Sequence, residues 1–290
     1  MRIVKVTVIL IGIWMLLFSN PSSLPGGTVC SWTWARPKPG EAWYGPTVLT
    51  TDQAITVFDQ LWPRWKECRL VAAVSLHFGD YEKVFTEAFP ILQSYRTPAT
   101  TWIVTGRIGQ LGYMTLEQIR ELAKNNWEIG SHTISHAPLI NLGLDQVRSE
   151  LEGSKAALES AGFAVSGFLS PFGLYNDLVL SEIQRWYKHH RSNTFGINPL
   201  PPSDQGVGSR WQLLYYQVKR DTPPLEVIIE IDRVNRLGGW LILDFHDIGD
   251  DDPSVSYPPE ALEEIVQFMR VALKLCTLEE LQRGACLARL

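Results

Sequence analysis

Residues 125–136 read Asn-Asn-Trp-Glu-Ile-Gly-Ser-His-Thr-Ile-Ser-His, and this stretch decides how the rest of the chain is interpreted. His132 and His136 are four residues apart, so both imidazoles fall on one face if the backbone coils, and both can then reach one divalent ion. Two polar residues at the start of a surface helix would show the same spacing. Residues 127–130 are typical of a short buried strand, and α/β folds place their chemistry at the C-terminal ends of strands. This context favours half of a metal site.

Residues 128–136 resemble the zinc-binding motif of the polysaccharide deacetylases, carbohydrate esterase family 4, whose domain is also called the NodB-homology domain. Further stretches fall in the order of that family: 74–80 (Val-Ser-Leu-His-Phe-Gly-Asp), 97–102 (Thr-Pro-Ala-Thr-Thr-Trp), 168–173 (Phe-Leu-Ser-Pro-Phe-Gly), 240–246 (Trp-Leu-Ile-Leu-Asp-Phe-His) and 277–281 (Thr-Leu-Glu-Glu-Leu). The resemblance covers residues 70–285. Each motif alone is weak evidence, and the resemblance is specific because the motifs occur in the order of the family.

The composition limits the class of protein. The chain has 290 residues, 45% of them hydrophobic, which is enough for one large domain with a substantial core. Its formal net charge is −5 and it has no basic run, so we expect no nucleic-acid partner held by phosphate contacts.

The N-terminus predicts export. A basic start at residues 1–5 precedes an apolar run at residues 6–18, which is shorter than the roughly 20 residues of a spanning helix. We therefore predict a signal peptide or an uncleaved anchor at residues 1–20, a secreted or cell-envelope location, and membrane association through the N-terminus only. Residues 21–66 are interpreted as an extension rich in Pro, Gly and Trp that ends in a short helix, and residues 67–290 as the deacetylase-like domain. Trp32, Trp34 and Trp43 either pack on the domain or stack on sugar rings.

The four cysteines (Cys30, Cys68, Cys276 and Cys286) form no recognisable framework, so they are interpreted as buried thiols or one optional bridge.

Short apolar strands alternate with helical stretches from residue 70 to the C-terminus. Repeated βα units predict a parallel sheet covered by helices, but periodicity does not separate a barrel from a doubly wound open sheet. The family resemblance implies a distorted, incompletely closed (β/α)7 barrel, and we predict that fold.

A third metal ligand is expected at Asp80, at the end of the first core strand. One carboxylate and two imidazoles leave coordination positions open for water and substrate. By resemblance Asp80 corresponds to the second aspartate of the family's T-F-D-D motif, a ligand, and we predict a divalent ion, zinc, held by Asp80, His132 and His136. An aspartate that caps the next helix is one alternative. A shifted alignment with Asp80 as the base is another, and it would leave the metal with two histidines and no carboxylate.

The same comparison shows a departure from the family at Gly79, where the family has its general base. Leu169 stands where many members carry the arginine that orients this base. Zinc alone can lower the pKa of its bound water from about 15.7 to about 7, whereas a positioned base contributes roughly 100- to 10,000-fold, so the loss of the base still allows slow chemistry. His77 is a candidate substitute base or a hydrogen-bonded structural histidine. Gly79→Asp should raise the rate if the new carboxylate can reach the metal-bound water.

The remaining candidates follow from the resemblance. His246, at the end of the strand at residues 240–245, matches the family's late histidine, which protonates the departing amine. Pro171 and Phe172 match a groove motif, and the Phe172 N–H could help to bind the oxyanion. Arg210 and Trp211 match a further site-lining motif less closely. His189 and His190 are interpreted as a solvated helix end, and residues 247–252 as an acidic loop that is not a calcium site.

The sequence therefore predicts a metal-dependent hydrolase that removes N-acetyl groups from a glycan, with an N-acetylated polysaccharide or oligosaccharide as its partner. A catalytically degenerate member that only binds glycan is the first alternative, and an amidase on a non-sugar C–N bond is the second. Peptidoglycan, chitin-like oligomers and exopolysaccharide all remain open as substrates.

Overall fold

The computed structural model describes residues 47–48, 50–55, 72–199, 202, 204–250, 252 and 254–272. The described residues belong to one compact unit within residues 37–290. The predicted signal peptide, the three N-terminal tryptophans, all four cysteines, the predicted final strand and the motif at 277–281 lie outside them. Within the part of the chain that the structure describes, no helix is long and apolar enough to cross a membrane.

The strands are β1 (Thr47–Val48), β2 (Ala72–Phe78), β3 (Thr100–Ile103), β4 (Glu128–Ser131), β5 (Gly167–Leu169), β6 (His189–Phe195), β7 (Leu213–Gln217), β8 (Gly239–Phe245), β9 (Asp247–Ile248) and β10 (Ser256–Tyr257). The helices are α1 (Phe89–Ser94), α2 (Leu116–Lys124), α3 (Leu144–Ser160), α4 (Asp177–Trp186), α5 (Pro224–Leu237) and α6 (Pro259–Ala272). A π-helical turn, Val84–Ala88, leads into α1, and residues 51–55 are helical.

Strands β2 to β8 form a closed parallel barrel. Each strand pairs with the next, and β2 also pairs with β8 at seven positions, from Ala72↔Gly239 to Phe78↔Phe245. The predicted (β/α)7 barrel is confirmed, and this seam is continuous. The distortion lies elsewhere: β4 and β5 share one register pair, and the β6–β7 register shifts between Arg191 and Phe195.

The two faces of the strands differ in chemistry. On β2, Val74, Leu76 and Phe78 belong to the hydrophobic core, whereas Ser75 and His77 are buried polar residues. Since side chains alternate along a strand, the second set points into the barrel. The interior therefore contains hydrogen-bonded polar side chains, as in the bond that the Trp240 indole N–H donates to the Ser75 hydroxyl at 2.9 Å.

The helices begin where the sequence supplies caps. Thr115 and Gln118 form a capping box at the start of α2, and the Asn176 side chain accepts from the Val179 N–H at the start of α4. Strands β6 and β7 were not predicted, and β6 lacks an apolar pattern because residues 189–195 are mostly polar.

The segment before residue 67 is more than an extension. Strand β1 pairs with β2 in parallel register, and residues 51–55 lie against the N-terminal end of the barrel through hydrogen bonds to β2, β3 and β4.

Candidate active site

A cavity of about 380 Å³ lies at the C-terminal ends of the strands. Asp80, His132, His136 and His246 all line it, although they come from three separate segments of the chain. The parallel barrel brings these segments together because every strand ends at the same rim.

The loop that carries His132 and His136 is not helical. Thr133 (φ 72°) and His136 (φ 61°) both adopt the left-handed conformation, and the His136 N–H donates to the Thr133 hydroxyl at 2.9 Å. The imidazole ring centroids are 4.8 Å apart. The expected proximity of the two rings is present, but a strained turn produces it rather than a helix face.

Glu150, on α3, holds this turn from outside, and sequence reasoning missed it. Its carboxylate accepts from the Ile134 N–H at 2.7 Å, from the Ser135 N–H at 3.0 Å and from the Ser135 hydroxyl at 2.6 Å. Three donors on one carboxylate fix the backbone between the two histidines.

The two imidazoles are neutral at pH 7. The His132 Nδ1 is 2.7 Å from the carbonyl oxygen of Leu169, so Nδ1–H donates to it and the Nε2 lone pair is left available. Burial lowers the pKa of His132 to about 3, with His136 adding to the effect. Burial, Arg107 and His246 lower the pKa of His136 to about 4. Neutral imidazoles are the form that binds metal.

Asp80 is buried beside them. Its carboxylate accepts from the Val104 N–H at 3.1 Å, and the Arg107 guanidinium lies 3.9 Å away. Burial raises the pKa of Asp80 to about 6 against these two opposing influences. The donor set of one carboxylate and two neutral imidazoles fits a divalent ion, although the ligand atoms of Asp80, His132 and His136 do not all lie within 4.8 Å of one another.

Gly79 is enclosed by backbone. Its N–H donates to the His246 carbonyl oxygen at 2.9 Å, and its own carbonyl accepts from the Thr101 hydroxyl at 2.7 Å. A Cβ at this position would lie 2.6 Å from the His246 carbonyl oxygen. The absence of a side chain here is therefore built into the contact between the ends of β2 and β8.

The comparisons with known proteins agree with this geometry. Residues 66–187 match the family model described as polysaccharide deacetylase. This part of the chain is similar to the polysaccharide deacetylase domain. It is 29% identical over 143 residues to a Bacillus subtilis (strain 168) protein, YxkH, classed by name with the polysaccharide deacetylases, covering 49% of this chain and 50% of that one. It is also 29% identical over 132 residues to the poly-beta-1,6-N-acetyl-D-glucosamine N-deacetylase of Staphylococcus aureus (strain MSSA476), covering 39% and 44%. The chain thus matches half or less of the length of these relatives.

Solved structures share the fold. The Streptococcus pyogenes deacetylase PplD aligns with a TM-score of 0.50 and 22% identity, covering 77% of this chain and 80% of that one. A family 4 carbohydrate esterase from Streptomyces lividans aligns with a TM-score of 0.51 and 15% identity, covering 73% and 96%. At these identities the likeness concerns the barrel alone.

His77 lies inside the barrel and does not line the cavity. Its Nδ1 accepts from the Trp102 indole N–H at 3.2 Å, and because that indole can only donate, Nε2 carries the proton and donates to the Thr51 hydroxyl at 2.7 Å. Burial, with Arg191 and His189, holds its pKa well below 6.5. The prediction of a substitute base is therefore corrected, since the only lone pair of the ring is occupied.

His246 and Phe172 lie where the sequence predicts. His246 is exposed at the cavity. Phe172 follows Pro171 in the 3₁₀ turn Pro171–Gly173 at φ 58°, and its ring packs edge-on against His136 with centroids 4.8 Å apart. Trp211 does not reach the cavity: its carbonyl oxygen accepts from His190, and the neighbouring Arg210 pairs with Asp204 at 2.8 Å. The placement of Trp211 in the site was wrong.

His189 and His190 are fully buried on β6, so their interpretation as a solvated helix end was wrong. His190 donates from Nδ1 to the Trp211 carbonyl oxygen at 2.8 Å, and its Nε2 accepts from the Ser170 hydroxyl at 2.9 Å. Strand β6 carries polar side chains at these positions because they line the barrel interior.

A second group of metal-type ligands lies at the opposite end of the barrel. One ligand atom each from Asp52, Glu128 and His189 lies within 4.8 Å of the others, so this group could hold a divalent ion. Burial alone lowers the pKa of His189, but Asp52 and Glu128, at 3.5 and 3.4 Å, outweigh it and raise the pKa to about 9. At neutral pH the imidazolium itself occupies the position of a cation, and a metal would have to displace its proton.

Proposed function

We propose that this protein hydrolyses N-acetyl groups on a glycan, with help from a divalent metal, in the cavity lined by His132, His136 and His246. The observation that carries the proposal is the pair of neutral imidazoles beside a buried carboxylate, at the catalytic end of the barrel of a polysaccharide deacetylase domain. Hydrolysis of the amide gives acetate and a free amine.

We assign the metal to Asp80, His132 and His136, and we propose zinc as the ion. When bound, such an ion polarises the acetyl carbonyl and makes a water molecule more acidic. The chain supplies the rest: Leu169 fixes the tautomer of His132, Glu150 fixes the turn to His136, and Val104 orients Asp80.

His246 is the group that gives the departing nitrogen its proton. It lies at the cavity and is exposed, so it can exchange protons with solvent between turnovers. An imidazole is suited to this role because it changes charge near neutral pH.

Aromatic side chains at the rim suit a sugar substrate. The Phe172 ring is 59% exposed beside His136. Phe195 is also 59% exposed and stacks on Tyr215, which lines the cavity, with ring centroids 5.2 Å apart. Exposed rings of this kind present apolar faces on which pyranose rings can pack.

A glycan-binding protein without catalytic activity is the second candidate, and Gly79 favours it because no carboxylate occupies that position.

The release of acetate distinguishes the two candidates. Purified protein, loaded with Zn²⁺, is incubated with N-acetylglucosamine oligomers and with a peptidoglycan fragment, and free acetate is quantified for wild type and His246→Ala.

Acetate release by wild type that falls at least about 100-fold in His246→Ala supports the hydrolase. Oligomer binding by wild type without any acetate release supports the glycan-binding alternative. Absence of both would overturn the assignment to glycans. Lys188→Ala is a suitable control, because this exposed lysine lies just before β6 and does not line the cavity.

We also propose export to the cell envelope or beyond, from the apolar run at residues 6–18. Fractionation of the native host with an antibody to the barrel tests this location.

A further inference from the structure

A buried ion pair lies at the cavity and has no part in the predicted metal site. The Arg191 guanidinium and the Asp244 carboxylate are 3.2 Å apart, with side chains 7% and 6% exposed, and both residues line the cavity. The guanidinium also stacks over the Tyr215 ring, 4.4 Å from its centroid. Arg191 is thus fixed on two sides.

Stability is a weak reason for such a pair. Removing two charges from water costs several kcal/mol per ion, and well-packed apolar residues in their place are often as stable or more stable. A buried charge pair in a cleft is, by the same reasoning, a candidate functional group.

Hydrolysis needs a group that accepts a proton from the attacking water, and few cavity residues can do so. The carboxylates among the described residues that line the cavity are Asp80 and Asp244. Asp80 is assigned to the metal, Gly79 has no side chain, and His77 has no free lone pair. Asp244 is the carboxylate that remains.

The strand register places Asp244 in a suitable position. It precedes His246 by two residues, so the two side chains point to the same side of β8 as it runs to the rim. In the strand register, His77 on β2 lies beside Asp244 on β8, and Leu169 on β5 lies beside Arg191 on β6. The carboxylate on β8 and the guanidinium on β6 approach each other over β7, the strand between them.

We propose that Asp244 is the general base of this protein and that Arg191 is the residue that positions it. The inference rests on the proposed hydrolase function. Asp244 takes one proton from water as the water oxygen bonds to the acetyl carbon. The C–N bond then breaks as the nitrogen takes a proton from His246, which gives a free amine and acetic acid. Acetic acid and Asp244 each release a proton to solvent and His246 takes one back, so the net products are acetate, the amine and one proton.

The test compares Asp244→Asn with Glu182→Gln in the zinc-loaded protein. Glu182 is an equally buried carboxylate, 6% exposed, that pairs with Arg148 at 3.0 Å and does not line the cavity. We expect Asp244→Asn to lower kcat by about 100- to 10,000-fold with unchanged zinc content, and Glu182→Gln to keep wild-type kcat. Added formate or azide should restore part of the activity of Asp244→Ala.

Arg191 is tested by separating kcat from KM. Arg191→Met should lower kcat with little change in KM, and Arg191→Lys should recover part of the loss, because an ammonium keeps the charge but not the fixed fork of donors. If Asp244→Asn does not fold, Arg191→Met combined with Asp244→Asn removes both buried charges and supplies the folded variant for the same assay.

Wild-type kcat in a folded Asp244→Asn protein would overturn the inference and leave the hydrolase proposal intact. Loss of zinc in Asp244→Asn would also overturn it, because Asp244 would then be a ligand. A wild-type protein that binds zinc and releases no acetate would overturn both proposals.

Discussion

The Gly79 N–H donates a hydrogen bond to the carbonyl oxygen of His246 at 2.9 Å, and it joins the end of β2 to the end of β8. A Cβ at residue 79 would lie 2.6 Å from that same oxygen. The expectation that Gly79→Asp raises the rate therefore has to be replaced, because a carboxylate cannot be added here without moving backbone beside His246.

We expect Gly79→Asp and Gly79→Ala to lower the free energy of unfolding by about 1–3 kcal/mol and not to raise acetate release. Denaturant unfolding and the acetate assay check this. Gly143→Ala is the matched control, since the heavy atom nearest to its added Cβ is 3.6 Å away. A faster and equally stable Gly79→Asp would contradict the close packing seen here.

Removal of His132 or His136, the proposed metal ligands, should remove the metal. We expect about one zinc ion per chain in wild type and much less in His132→Ala or His136→Ala, because two ligands bind far more weakly than three. Elemental analysis after dialysis is the measurement. His246→Ala should keep its zinc, and equal zinc in all four proteins would disprove the assigned site.

Glu150 should affect the zinc affinity of the proposed site although it is not a metal ligand. In Glu150→Ala three donors on the 134–135 turn lose their acceptor, so His136 is no longer held in its left-handed conformation. We expect zinc affinity to fall by about 10- to 100-fold. Competition with a chromogenic chelator measures it. Glu152→Ala, an exposed position on the same helix, should match wild type.

The protein should become less stable at alkaline pH because of the cluster of Asp52, Glu128 and His189. The folded pKa of His189, about 9, lies above its unfolded value of about 6.5, so the stabilisation is complete below pH 6.5 and is lost as pH rises through 9. In Asp52→Asn one carboxylate is lost. The free energy of unfolding should then fall by less between pH 7 and pH 10 than it does in wild type. Urea unfolding at both pH values measures it. Asp145→Asn, at a fully exposed site, should retain the wild-type drop.

The barrel should need residues 47–55 but not those before them. Deletion of residues 1–43 should leave cooperative unfolding unchanged. Deletion of residues 1–56 removes β1 and the Thr51 hydroxyl that satisfies His77, and should cost about 2 kcal/mol or more, because buried polar groups lose their partners. Circular dichroism melts compare the two. Equal stability of both shortened proteins would show that the N-terminal end of the barrel is satisfied in another way.

The sequence by itself determined the class of fold and the location of the site. Alternating βα segments predict a parallel sheet, and the ends of parallel strands share one rim, so Asp80, His132 and His246 were predicted from their positions after strands. The choice of a barrel came from the family motifs rather than from periodicity, because a barrel and an open sheet show the same alternation.

Tertiary structure alone decided which polar residues take part. The strand His189–Phe195 is polar because it faces a hydrogen-bonded interior, and a pattern that expects apolar strands cannot detect it. Glu150, Arg191 and Asp244 lie far from the histidine motif in sequence and reach the site only through helix packing and barrel closure. The space around Gly79 depends on a carbonyl oxygen 167 residues away, at His246. Contacts between distant segments depend on which strands become neighbours and on how the barrel closes, and the periodicity of a single segment specifies neither.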